Sequence, residues 1–125
     1  IGTNIVTMTL DTEIYDQNDD FNTTTYTFTA PVAGRYLLTA NGATYGMVGS
    51  TYQYLAIITS NRNYILLNTQ NNLIATTNAW VGTLNVVADM DASDTAYVQI
   101  GNNDDTSWTL RGTAEKTFFS GCLLC

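Results

Sequence analysis

Apolar and polar residues alternate along much of this chain. In Ile5-Val6-Thr7-Met8-Thr9-Leu10, the residues Val6, Met8 and Leu10 share one face, the spacing of a strand with one buried side. Tyr26 and Phe28 alternate with Thr25, Thr27 and Thr29. Leu84, Val86, Ala88 and Met90 line one face of a run from Trp80 to Met90. Further short β-rich runs cover Tyr36 to Ala40, Tyr52 to Thr59, Tyr64 to Asn68, Leu73 to Thr76 and Ala96 to Ile100, with another around Trp108 and Leu110. Turn-forming residues separate them: Pro31 with Gly34, Asn41-Gly42, Ser60 to Asn63, Asp89 to Asp94, Gly101 to Asp105, and Arg111 to Ala114. Pro31 suits the second residue of a turn, and Gly34 can take a positive φ there without penalty. No apolar repeat of helical period persists for helix length with caps. The pattern predicts an all-β sandwich or barrel.

The last strand, Thr117 to Cys125, departs from simple alternation. Phe119, Gly121 and Leu123 lie on one face, and Phe118, Ser120, Cys122 and Leu124 on the other. Both faces are largely apolar, and so are both faces of Tyr36-Leu37-Leu38. A strand of a two-layer sandwich normally shows one face to water. The second face therefore needs a cover, either a loop or another subunit. Tyr54, Tyr97 and Trp108 are further candidates for such a contact, because Tyr and Trp suit interfaces.

The composition narrows the partners. A chain of 125 residues suits one domain, 1–125. Charged residues are 12%, about half the usual share, and Thr, Asn, Ser and Gln take their place. The net charge is −7, and Arg35, Arg62, Arg111 and Lys116 are scattered. Nothing here can replace phosphate counterions, so nucleic acid is not a partner. No apolar run is long enough for a membrane-spanning helix. The chain begins at Ile1 and reads as the C-terminal head of something longer or as a processed product.

The stretch Phe28-Thr29-Ala30-Pro31-Val32-Ala33-Gly34-Arg35-Tyr36-Leu37-Leu38 carries the string F-T-A-P-x-x-G-x-Y-x-L, which resembles the globular head domain of complement C1q and its TNF-like relatives. Asp16, Asp20 and Phe21 stand where that family has an Asp and an aromatic ahead of the turn. Asp94-Thr95-Ala96-Tyr97-Val98 resembles its Gly-Asp-x-Val strand start, with Ser93 where Gly is usual. Phe119-Ser120-Gly121-Cys122-Leu123 resembles its closing strand, with Cys122 where an aromatic is usual. The resemblance runs from about Val6 to Leu124, and between Thr44 and Thr83 only the strand rhythm matches. It implies a ten-stranded jelly roll, a homotrimer with the last strand near the threefold axis, and recognition or adhesion rather than catalysis. The interface residues it points to are Tyr54, Tyr97, Trp108, Phe118, Phe119, Cys122 and Leu124.

The absence of His removes Ser-His-Asp and Cys-His sites and pH switching near neutrality. Cys122 and Cys125 form C-x-x-C, but on an extended strand residues three apart point to opposite faces. Cys122 is expected to be a free, buried and poorly accessible thiol. No motif requires a cofactor. Calcium is the ion the acidic turns would suit, through Asp16, Asn18 and Asp20, or Asp89, Asp91 and Asp94, although the rest of an EF-hand is missing. Solvated turn residues are the competing account of these carboxylates. Asn22-Thr23-Thr24 is a glycosylation sequon, meaningful on a secretory route. For a sugar ligand, an aromatic face beside amide oxygens points to Tyr45 and Tyr52 with Asn61, Asn63, Asn71 or Asn72. The Thr- and Asn-rich style and V-A-G-R-Y after the proline are closer to phage and bacterial copies. The sequence thus reads as a trimeric recognition head on a phage fibre, virion or bacterial surface, extracellular or virion-borne, with a cell-surface carbohydrate or receptor as partner. Two other readings stay open: a structural trimerisation or capsid-decorating module without ligand, and a secreted C1q-domain lectin.

Overall fold

Strand-forming residues, with uncharged turns between them, fold into a sandwich of two antiparallel sheets in the computed structural model, which describes residues 4–10, 20–45, 53–68, 79–102, 109–110 and 117–125. The strands are β1 (Asn4–Thr7), β2 (Phe21–Asn22), β3 (Thr27–Thr29), β4 (Gly34–Tyr45), β5 (Gln53–Thr59), β6 (Asn63–Asn68), β7 (Ala79–Met90), β8 (Thr95–Asn102), β9 (Thr109–Leu110) and β10 (Phe118–Leu123). One sheet has the order β2-β3-β8-β5-β6, with β1 also on β8; the other has the order β10-β4-β7, with β9 on β4. Strands far apart in sequence are neighbours within each sheet, as in a jelly roll rather than a meander.

The core is built from inward rows. Tyr36, Leu38 and Ala40 of β4 face inward with Ala88 and Met90 of β7. From the other sheet come Leu55 and Ile57 of β5 and Ala96, Val98 and Ile100 of β8, with Met8 and Phe28 beside them. Val6, Met8 and Leu10 do not behave alike: Met8 is buried and Leu10 packs on the core, whereas Val6 stays exposed. The alternation read along β7 holds, with Trp80, Gly82, Ala88 and Met90 buried and Val81, Thr83, Asn85, Val87 and Asp89 exposed.

Three turn expectations change. Asn41-Gly42 is not a turn but lies inside β4, where Gly42 is in register with Gly82 of β7. A Cβ at Gly82 would stand 2.6 and 2.7 Å from two atoms of the Trp80 ring, and one at Gly42 would meet Ile100. This glycine pair is there for close packing, not for a bend. Gly34 does not adopt a positive φ; a Cβ there would meet Leu123 Cδ1 at 2.6 Å and the Cys125 carbonyl oxygen at 2.9 Å. Its bareness lets the end of the chain dock, with Arg35 N donating to Cys125 O and Leu124 N donating to Arg35 O. Tyr26 is not part of the alternating strand: it closes the β2–β3 turn at φ 57°.

The bend after Pro31 is fixed by Tyr36, whose buried hydroxyl donates to Val32 O at 2.7 Å while its ring meets Phe28 edge-on. At the same end, the turn between β7 and β8 is clasped to its neighbours. Asp94 Oδ2 accepts from Asp91 N at 2.8 Å and from Asn61 Nδ2 at 2.7 Å. Ser93 N donates to Ala30 O, and Ala30 N donates to Asp94 O. Ser93 adopts φ 76°, the left-handed conformation that favours glycine. Ser93, which stands where the resembling family usually has Gly, is therefore a strained residue in this turn.

Candidate functional site

Exposed apolar surface is what distinguishes the described residues. Along the outer face of the β10-β4-β7 sheet the register places Phe118, Asn41 and Thr83 in one row, Ser120, Thr39 and Asn85 in the next, and Cys122, Leu37 and Val87 in a third. Leu37 is 37% and Val87 54% exposed in the single chain, and Phe118, Cys122 and Leu124 are exposed with them. This corrects two expectations. Cys122 is not a buried thiol but an exposed one, because no described residue covers that side of β10. Phe119 belongs to the inside of the sandwich, where its ring meets Phe21 edge-on with centroids 6.2 Å apart. Phe118 and Leu124 do lie on the outer surface; Trp108 falls outside the described residues.

Tyr54 and Tyr97 sit on the other sheet, not beside Cys122. Tyr54 is buried on the outer side of β5, in register with Gly101 and Leu67, and its hydroxyl donates to Gln99 Oε1 at 3.3 Å. Next to it on β6, Ile65 and Leu67 are 47% and 55% exposed, while Tyr64 and Leu66 turn inward onto the core. Among the described residues, each sheet thus carries an exposed apolar surface of its own. Aromatic content alone could not assign Tyr54 and Tyr97 to a sheet. The row holding Leu37 with Val87 was missed because it only becomes a row once the register is known, whereas Ile65 and Leu67 share a face of β6 by alternation, which does not say which face is the outer one.

The ligand candidates do not form one cluster. Tyr45 ends β4 at the edge of the sandwich where β5 begins and β6 finishes. Asn61 and Asn63 lie at the opposite end of the β5–β6 hairpin. The Asn61 amide is already committed to Asp94, with a longer contact to Asp89 O at 3.4 Å. Tyr52, Asn71 and Asn72 are outside the described residues. Among the acidic candidates, Asp16 and Asn18 are also outside them. Asp89 and Asp91 are exposed, and Asp94 spends its carboxylate on the turn that holds it. Among the described residues no group of three or more acidic or thiol side chains converges on a position that could hold a metal ion.

The described residues form a two-sheet jelly roll with exposed apolar rows on the outer face of each sheet. The C1q domain model matches residues 2–124, and the chain belongs to the C1q domain family. Among solved structures it is similar to the globular domain of a zebrafish complement 1qA protein (18% identity, TM-score 0.62, covering 100% of this chain and 87% of that one). It is also similar to the Eiger TNF of S. frugiperda (13%, TM-score 0.61, 98% and 87%) and to rabbit GITRL (14%, TM-score 0.51, 80% and 72%). At these identities the likeness is one of fold. No curated protein sequence matches the chain. C1q and TNF-like domains generally assemble as homotrimers, lie outside the cell and act as binding modules without catalysis. Among the described residues no helix is long and apolar enough to cross a membrane.

Proposed function

We propose that this chain is the trimeric recognition head of a surface-displayed protein, of the phage-fibre, virion or bacterial kind, and that it binds a cell-surface carbohydrate or receptor. The observation that carries the trimer is the row Cys122, Leu37 and Val87 on the outer face of the β10-β4-β7 sheet, apolar and open in the single chain. A closed ring of three uses two different patches per copy. Ile65 and Leu67 on the other sheet supply the second patch. Recognition then falls to the end of the sandwich where Tyr45 stands, because loops on a rigid scaffold commonly carry binding. Asn61 drops out of the ligand set, since its amide holds the β7–β8 turn. Calcium, if it is taken up, enters through the acidic turns without a ready-made cluster among the described residues.

Light scattering at micromolar concentration should report three times 13.7 kDa, and a monomer at high concentration would overturn the trimer. The trimer is then passed over a glycan panel and over whole bacterial cells. Tyr45→Ala should stay trimeric and bind less. If the unaltered trimer binds no surface at all, the domain is a trimerisation or decorating module without a ligand.

A further inference from the structure

The turn between β2 and β3 contains Asn22-Thr23-Thr24, the one place in the chain where Ser or Thr follows an asparagine by two positions with no proline between. The structure shows how this tripeptide is held. Asn22 Oδ1 accepts from Thr24 N at 2.8 Å and from Thr25 N at 3.0 Å, an Asx turn. Both bonds use the carbonyl end of the amide. Asn22 and Thr24 are exposed, and the strand alternation sends Phe21 inward onto Phe119 and Asn22 outward. The Asn22 nitrogen is thereby presented to solvent on a turn that the oxygen keeps in place. Two positions earlier stands Asp20, whose backbone carbonyl accepts from Thr29 N at 2.8 Å and so belongs to the same rigid hairpin.

We propose that Asn22 is the attachment point of an N-linked glycan. In the transfer, Asn22 Nδ2 attacks the anomeric carbon of an oligosaccharide carried on a polyprenyl diphosphate. The new C–N bond forms as the C–O bond to the diphosphate breaks; the diphosphate leaves with the electron pair, and the amide proton goes to a base of the transferase. No oxidation or reduction is involved. The Thr24 hydroxyl is the group such transferases read two positions after the acceptor. A carboxylate two positions before it, here Asp20, is what bacterial transferases read in addition, so the pentapeptide from Asp20 to Thr24 suits either source of donor. The placement has a physical use. β2 is the outer strand of its sheet, and a glycan at its last residue bars edge-to-edge pairing with another chain. Because Asn22 is on the opposite sheet from Leu37, Val87 and Cys122, the sugar leaves their shared face open.

The test is to secrete the chain from a eukaryotic host and, separately, to export it in a bacterium supplied with an oligosaccharyltransferase and its lipid-linked donor. Intact mass and peptide mapping read the outcome. One glycan at Asn22 in either arm supports the assignment, and the arm in which it appears names the donor system. It should vanish in Thr24→Ala, which keeps the backbone donors of the Asx turn, and survive in Thr24→Ser. Asp20→Ala should abolish it in the bacterial arm alone. A folded, exported chain at its bare polypeptide mass in both arms overturns the proposal, as does a glycan that persists in Thr24→Ala.

Discussion

Replacing Val87 by Asp tests the interface most directly. In the isolated subunit Val87 is already half in water. The change there should cost little, roughly 0.5 kcal/mol for a surface substitution and up to about 1 kcal/mol of strand preference. In the proposed trimer the same site is covered. Burying the open half of a valine is worth about 1 kcal/mol per copy, taking roughly 1.5–3 kcal/mol for complete burial. A carboxylate in its place costs several kcal/mol per ion even after relaxation. Summed over three copies the loss is on the order of 10 kcal/mol, and each 1.4 kcal/mol is about a tenfold change in association. Val87→Asp should therefore be a folded monomer at micromolar concentration, with its β-sheet circular dichroism intact, whereas Val87→Thr keeps the branched shape and stays trimeric. Leu67→Asp should do the same from the other patch. A mixture of the two monomers has one good contact to make: the intact Leu67 surface of one against the intact Val87 surface of the other. It should give one-to-one pairs that cannot close into rings. A Val87→Asp protein that remains trimeric refutes the assignment, and so does one that unfolds without a folded monomer.

Two further outcomes follow from local geometry. Ser93→Gly should raise the stability by about 1 kcal/mol, because the serine is held at φ 76° where glycine is unstrained, and the melting temperature should rise by roughly 3–5 °C; an unchanged or lower value would contradict it. Cys122 should be slow to react with a thiol reagent in the trimer and fast in the Val87→Asp monomer, since it shares a row with Leu37 and Val87; equal rates in the two would place it outside the interface.

The strand order of the sheets was not legible in the sequence, but their inward faces largely were. Leu84, Val86, Ala88 and Met90 declare a buried side by alternation alone, and the burial along β7 follows it. The last strand declared its doubly apolar character for the same reason. What failed had partners far away in the chain. Asn41-Gly42 carries the local signature of a turn, yet the need for a bare Gly42 comes from Ile100 of β8, on the facing sheet. Tyr26 fits the alternation of its neighbours, but the hairpin that Asn22 caps needs a residue of positive φ there. The thiol of Cys122 looked buried because its neighbours are apolar, but no described residue of the chain covers its face.

The row of Leu37 and Val87, the Tyr45 end of β4 and Asn22 are far enough apart to be tested independently of one another. Leu37 and Tyr45 are eight residues apart on one continuous strand, β4, which at ~3.3 Å per residue separates them by about 26 Å. Asn22 lies on the other sheet, at its edge. Substitutions separated by more than about 7–10 Å without shared partners normally act additively. Loss of the trimer in Val87→Asp should therefore leave the intrinsic affinity of one head for its ligand unchanged and lower only the gain from having three heads on one surface, whose strength comes from effective concentration rather than from new contacts. Thr24→Ala should alter neither. An affinity per head that falls with trimer dissociation would instead place the ligand across the boundary between two subunits, and would move the binding site from the Tyr45 end of the sandwich to the rows of Leu37 and Leu67.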